Sequence, residues 1–167
     1  CEIQNGTTGG HWINSPFVQT VVGIGSLKTG DVVRRKVQWE EQLVTTTTQL
    51  PIDDTIPQNT EGGACLSVGI TPTTQANYMR VRAEGMFVNN NAGDGAIALF
   101  VASSANAVAA STFVRTSAGV PGGPGVLEYM AQAVNAASVS YTLRMGPGTG
   151  GQTIEMNGSG GAARIFN

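Results

Sequence analysis

The sequence predicts an all-β fold, an antiparallel sandwich or barrel, on three observations. Apolar alternation comes in short segments, about eight to ten of them at roughly 8–12-residue spacing. Turn residues are dense, with 23 Gly and 7 Pro in 167 residues. Charged residues make up only 12%, about half the usual share, while Thr, Ser, Ala and Val are abundant. No helical heptad and no internal repeat competes with this reading.

The length suits one domain, or one domain with an arm. We read residues 1–15 as an arm or linker and 16–167 as the β-sandwich domain. A net charge of -2 leaves no electrostatic footprint for nucleic acid or an anionic membrane. No apolar run approaches the ~20 residues of a membrane-spanning helix. The chain begins at Cys1 rather than Met and so reads as a processed product or a fragment. Lipidation of Cys1 is one explanation and a lost upstream segment the preferred one. Two cysteines, Cys1 and Cys65, are too few for a disulfide framework.

The elements follow in order. Residues 17–22 form a first strand, ended by Gly23 and Gly25. Residues 32–39 form a second, with Val33, Arg35, Val37 and Trp39 on one face. The chain stays extended to Leu50 through Thr45–Thr48, whose β-branched side chains suit a pleated surface. Residues 51–63 form a structured loop, because Pro51 and Pro57 cannot donate to a ladder. Residues 66–70 alternate as a strand. Residues 78–88 alternate for longer, Met79, Val81, Ala83, Gly85 and Phe87 on one side and Tyr78, Arg80, Arg82, Glu84 and Met86 on the other. Residues 89–95 form a turn, and the apolar run 96–101 a central strand. The Ala-rich stretch 103–112 reads as loop with a short strand near Val108. Residues 117–125 are a Gly/Pro turn. Residues 126–134 and 138–145 read as a hairpin, 146–151 as a turn and 153–157 as a short alternating strand. A glycine-rich loop, Gly158 to Gly161, leads into 163–166.

Candidate chemistry is sparse. His11 is the only histidine, so any triad must use it; a loop histidine beside Trp12 is the preferred reading. With Cys1 and Cys65 it provides no usual zinc spacing. Cys65 sits in an apolar run and reads as a small buried hydrophobe. Asp53, Asp54 and Glu61 are the densest carboxylates. They fit a glycosidase pair or a Ca²⁺ site only without a specific spacing; side-chain-to-backbone bonds stabilising the loop are preferred. The glycine-rich runs at Gly93–Gly95 and Gly146–Gly151 match no phosphate-binding pattern and read as turns. Arg34, Arg35 and Lys36 alternate across a strand and form no single patch. Trp12, Trp39, Tyr78, Tyr129 and Tyr141 would stack on sugar rings where exposed, though such residues more often pack in cores or subunit contacts. No catalytic, metal or cofactor residue is assigned.

The segment 47–62, TTQLPIDDTIPQNTEG, resembles a stretch of the C-terminal domains of tailed-phage tail fibre and tail-spike proteins and their prophage relatives. That family pattern reads approximately T-x-I-P-L-D-D-T-I-P-Q-N-T-E-G. Further similar features follow in order: Leu66–Thr73 with its T-P-T turn, Tyr78–Val81, Ala96–Phe100, and the glycine-rich turn at Asn157–Arg164. The resemblance implies a jelly-roll-like sandwich, often a homotrimer, placed distally on a virion appendage beside other virion proteins. It implies a structural signature at 47–62 and no binding residue. The family's pattern has a further strand after the final glycine-rich turn, so either the domain ends early or a final strand comes from elsewhere. Residues 1–15 have no counterpart in it.

The first expectation is therefore a non-enzymatic virion component without cofactors that binds the host surface, with glycan as its ligand. A capsid decoration or head-fibre protein of the same fold is the alternative. A polysaccharide depolymerase using Asp53, Asp54 and Glu61 is a second alternative.

Overall fold

A computed structural model of the protein describes residues 19–20, 32, 34–102, 104–115 and 122–158. Among them run ten strands: β1 (Gln19–Thr20), β2 (Arg34–Arg35), β3 (Val44–Thr46), β4 (Gly63–Ile70), β5 (Tyr78–Asn89), β6 (Gly93–Val101), β7 (Ala109–Arg115), β8 (Gly123–Gln132), β9 (Val139–Pro147) and β10 (Ile154–Met156). β1 and β2 pair with each other. The other eight form two antiparallel four-stranded sheets, β3-β10-β5-β8 and β4-β9-β6-β7. Counted from β3, the orders are 1-8-3-6 and 2-7-4-5. First pairs with last, second with seventh, third with sixth, fourth with fifth. The chain is thus one long antiparallel ribbon folded over on itself, the order of a jelly roll. All eight positions are filled between Val44 and Met156.

The core lies between the sheets. Along the β5–β8 ladder, Met79, Val81, Ala83 and Phe87 stand opposite Ala131, Tyr129, Leu127 and Gly123 and face inward. Ile97 and Leu99 of β6 and Tyr141, Leu143 and Met145 of β9 meet them from the second sheet. The Phe87 and Phe113 rings stack across the sandwich, centroids 5.5 Å apart and planes 26° apart. Two strand glycines make room for them. A Cβ on Gly95 would strike the Phe113 ring, and one on Gly125 would lie 2.7 Å from that of Phe87.

The inward and outward faces follow the sequence alternation, but several pairings and boundaries do not. Residues 126–134 and 138–145 form no hairpin: β8 pairs with β5 in one sheet, and β9 lies between β4 and β6 in the other. Alternation fixes which way a side chain points but not which strand lies beside it. Of the Ala-rich stretch 103–112 the part from Ala109 is strand, beginning next to the short strand expected near Val108 but running on to Arg115 in a ladder to β6; this tertiary pairing overrides alanine's local preference. Gly93–Gly95 open β6, Gly123–Gly125 open β8, and Gly146–Pro147 end β9, so strands reach into three of the expected turns. Pro124 is tolerated because β8 is a sheet edge. Among the described residues of the second expected strand only Arg34–Arg35 are strand, with a two-residue partner in β1. The expected extension to Leu50 leaves the ladder after Thr46, whose Oγ1 accepts a bond from the Thr48 amide at 3.1 Å and turns the backbone out of it. β10 does not alternate in exposure, since all three of its residues are buried between β3 and β5.

Of the first expected strand only Gln19–Thr20 is described. The expected arm at 1–15 and the chain after Gly158 lie outside the described residues.

Candidate functional site

Residues 47–62 carry the chain from β3 in the first sheet to β4 in the second. On the way they cross the outer face of the second sheet as a strap. Ala96, Ala98 and Phe100 of β6 alternate with the inward Ile97 and Leu99, so they point away from the main core. They are nevertheless buried, because Leu50 of the strap and Ala107 pack on them as a second small core. Leu50 itself is fully enclosed, a burial that contributes about 1.5–3 kcal/mol.

Hydrogen bonds fix the strap at both ends. The Leu50 amide donates to the Pro147 carbonyl at 3.0 Å and Gln49 Nε2 to the Gly148 carbonyl at 2.7 Å. At the far end Arg144 donates from Nε to the Glu61 carbonyl and from Nη2 to the Gly62 carbonyl, each at 2.7 Å. The middle is tied to the loop after β6. Asn59 donates from its amide to the Ala105 carbonyl and from Nδ2 to the Ser104 carbonyl, Gln58 Nε2 donates to Asn106 Oδ1, and the Ala107 amide donates to the Pro57 carbonyl. Gly62 has φ +62°, and a Cβ there would lie 2.7 Å from the Met145 carbonyl oxygen. Both facts restrict the position to glycine.

Of the carboxylates singled out in the sequence, Asp53 and Glu61 serve this loop, and Asp54 is exposed on it. Glu61 Oε2 accepts the Gln58 amide at 2.8 Å. Asp53 Oδ1 accepts the Thr55 hydroxyl at 2.6 Å and the Thr55 amide at 2.8 Å. These bonds, the hydroxyl's first, hold the Asp53 carboxyl below its ordinary range. A general acid needs a carboxyl raised towards neutrality, and Asp53 is moved the other way. Chemically the arrangement is a capped turn. Among the described residues no group of three or more His, Cys, Asp or Glu is placed to hold a metal ion.

The other candidates separate. Cys65 is the extra residue of a β-bulge, between Ala64 opposite Arg144 and Leu66 opposite Leu143. Its Sγ points into the core, and burial pushes the thiol up to about 12. Tyr141 is in the core, where burial, and secondarily Tyr129, raises its phenol. Arg34 Nη1 donates to the Thr71 carbonyl at 2.6 Å, while Arg35 and Lys36 are exposed. Trp39 and Tyr78 are 70% and 68% exposed, and Tyr129 is half-buried. His11, Cys1 and Trp12 lie outside the described residues.

The first sheet has a different outer face. In the β5–β8 register Tyr78 stands opposite Gln132, Arg80 opposite Met130, Arg82 opposite Glu128, and Glu84 opposite Val126, all pointing outward. Met130 is 64% exposed and Val126 46%. Arg80 pairs with Glu128 through two bonds of 2.9 and 3.0 Å, and Arg82 with Glu84 at 2.7 Å. The Arg80 pair raises the arginine and lowers the glutamate. Sequence reasoning noted Tyr78 but not Met130 or Val126. The available signal was that β8 carries large apolar residues at alternate positions of both faces: Val126 and Met130 outward, Leu127 and Tyr129 inward.

No protein-family model matches the chain, and no curated protein matches it.

Proposed function

We propose that the protein is a non-enzymatic virion component, a tail-fibre or spike domain of a tailed phage that binds the host surface through glycan as a homotrimer. The observation that carries the reading is the strap. The residues that resemble the tail-fibre stretch have concrete structural tasks: Leu50 closes the second core, Pro57, Gln58 and Asn59 dock the loop after β6, Glu61 caps a turn, and Gly62 fits a left-handed position against β9. A match of sequence pattern to structural necessity supports a shared architecture more than a shared ligand. The non-enzymatic part is supported by Asp53 and Glu61, which are engaged by their own loop. A sandwich with few charged, flexible side chains suits an extracellular particle, and its loops are where receptor contact would be placed.

The test is binding of the labelled chain to a panel of bacterial strains, and to surface polysaccharide extracted from any strain that retains it. Saturable retention competed by the polysaccharide supports attachment. Retention on phage capsids with none on cells would move the protein to the decoration class. Release of reducing sugar would overturn the non-enzymatic reading.

A further inference from the structure

We infer that the outward face of β5 and β8 is the surface on which copies of this chain pack against one another. The inference rests on the homotrimer reading above and adds the surface to it.

Three features of the face argue for a second copy as its occupant. Met130 and Val126 put large apolar side chains on the outer face of the edge strand β8, with Tyr78 beside them on β5, and an edge strand with exposed apolar side chains is what isolated sheets avoid. Its charges sum to zero, since Arg80 and Arg82 balance Glu84 and Glu128. A one-signed patch would repel its own copy and attract a polyion; a neutral one of mixed sign can meet itself. Each charge is also already paired within the chain. Carboxylates and guanidinium groups held in mutual hydrogen bonds have less hydration to lose when a second molecule covers them. The opposite sheet offers no such surface at β6, because the strap already covers it.

The experiment is the solution mass of the unaltered chain and of Met130→Glu by light scattering after gel filtration, with Ser67→Glu on the other sheet as control. A three-chain mass that Met130→Glu, still folded by circular dichroism, reduces to one chain is the expected result, with Ser67→Glu unchanged. A three-chain mass that survives Met130→Glu overturns this face and leaves the trimer standing. A one-chain mass for the unaltered protein overturns the trimer and this inference with it. A two-chain mass abolished by Met130→Glu keeps the face and overturns the threefold count. If Met130→Glu does not fold, peroxide oxidation of the unaltered assembly decides. Protection of Met130 by tenfold or more relative to the dilute chain supports the face, and oxidation at the same rate overturns it.

Discussion

The two sheets are built by the same alternation, yet their outer faces have opposite fates. On β6 the outward residues Ala96, Ala98 and Phe100 carry no charge and lie under a strap of their own chain. Over residues 78–84 of β5 and 126–132 of β8 the outward residues mix apolar with ion-paired, and they stand exposed. Outward apolar residues alone therefore do not tell a covered face from an open one. The partners of the charges do: under the strap Arg144, beside Ala98 in the register, is bound to strap carbonyls, whereas the charges of β5 and β8 are bound to one another and stay wet.

That contrast can be broken by substitution. The largest effect belongs to the covered face: Phe100→Ala should lower the unfolding free energy by about 3–5 kcal/mol in urea titration. A change near zero would mean that the strap does not enclose the ring. Arg144→Met should cost about 1.5–3 kcal/mol, since it removes charge-assisted bonds to two strap carbonyls. Proteolysis within residues 51–62 should accelerate in that variant, and an unchanged cleavage rate would show that the strap is held without the arginine. Gly62→Ala should cost about 1–3 kcal/mol through its left-handed backbone and the carbonyl beside it.

The pH dependence of Cys65 is smaller near neutrality and has a definite sign. Its thiol is raised to about 12 in the fold, against about 8.5 for a free cysteine. The neutral form is favoured in the fold, so this contribution is complete below the free value and is lost as pH rises towards the folded one. The urea midpoint of the unaltered protein should fall more steeply above about pH 8.5 than that of Cys65→Ala; parallel curves would place the thiol in water. The smallest effect belongs to the open face. Met130→Ala should change the stability of the dilute, unassociated chain by no more than about 0.5 kcal/mol.

Much of this was legible in the sequence because it is local. The in-out pattern of residues 78–88 is simple alternation, and Pro51 and Pro57 keep the strap out of any ladder. The turn role of Asp53 follows from its side chain's reach to a nearby amide. What was not legible is long-range. Nothing near Ser138 shows that β9 pairs with β4 and β6 rather than with the strand before it in sequence. Ala109–Ser111 carry little β preference of their own and become strand because β6 lies alongside, although Thr112, Phe113 and Val114 after them favour strand. The apolar character of Ala96–Val101 was visible, but what covers its second face is supplied by residues some 50 positions earlier. The outward Met130 and Val126 were hidden by being read as half of a hairpin.

The nested pairing of the ribbon has a kinetic consequence. Among the described residues β3 finds its ladder only in β10, so Val44 waits for Met156. Few native ladders form between near neighbours in the chain, and folding of such a topology is slowed by loop closure. During synthesis the first sheet stays incomplete, with β3 unpaired, until Ile154–Met156 has left the ribosome. A nascent chain arrested before that point should therefore expose sticky strand edges and depend on a holding chaperone.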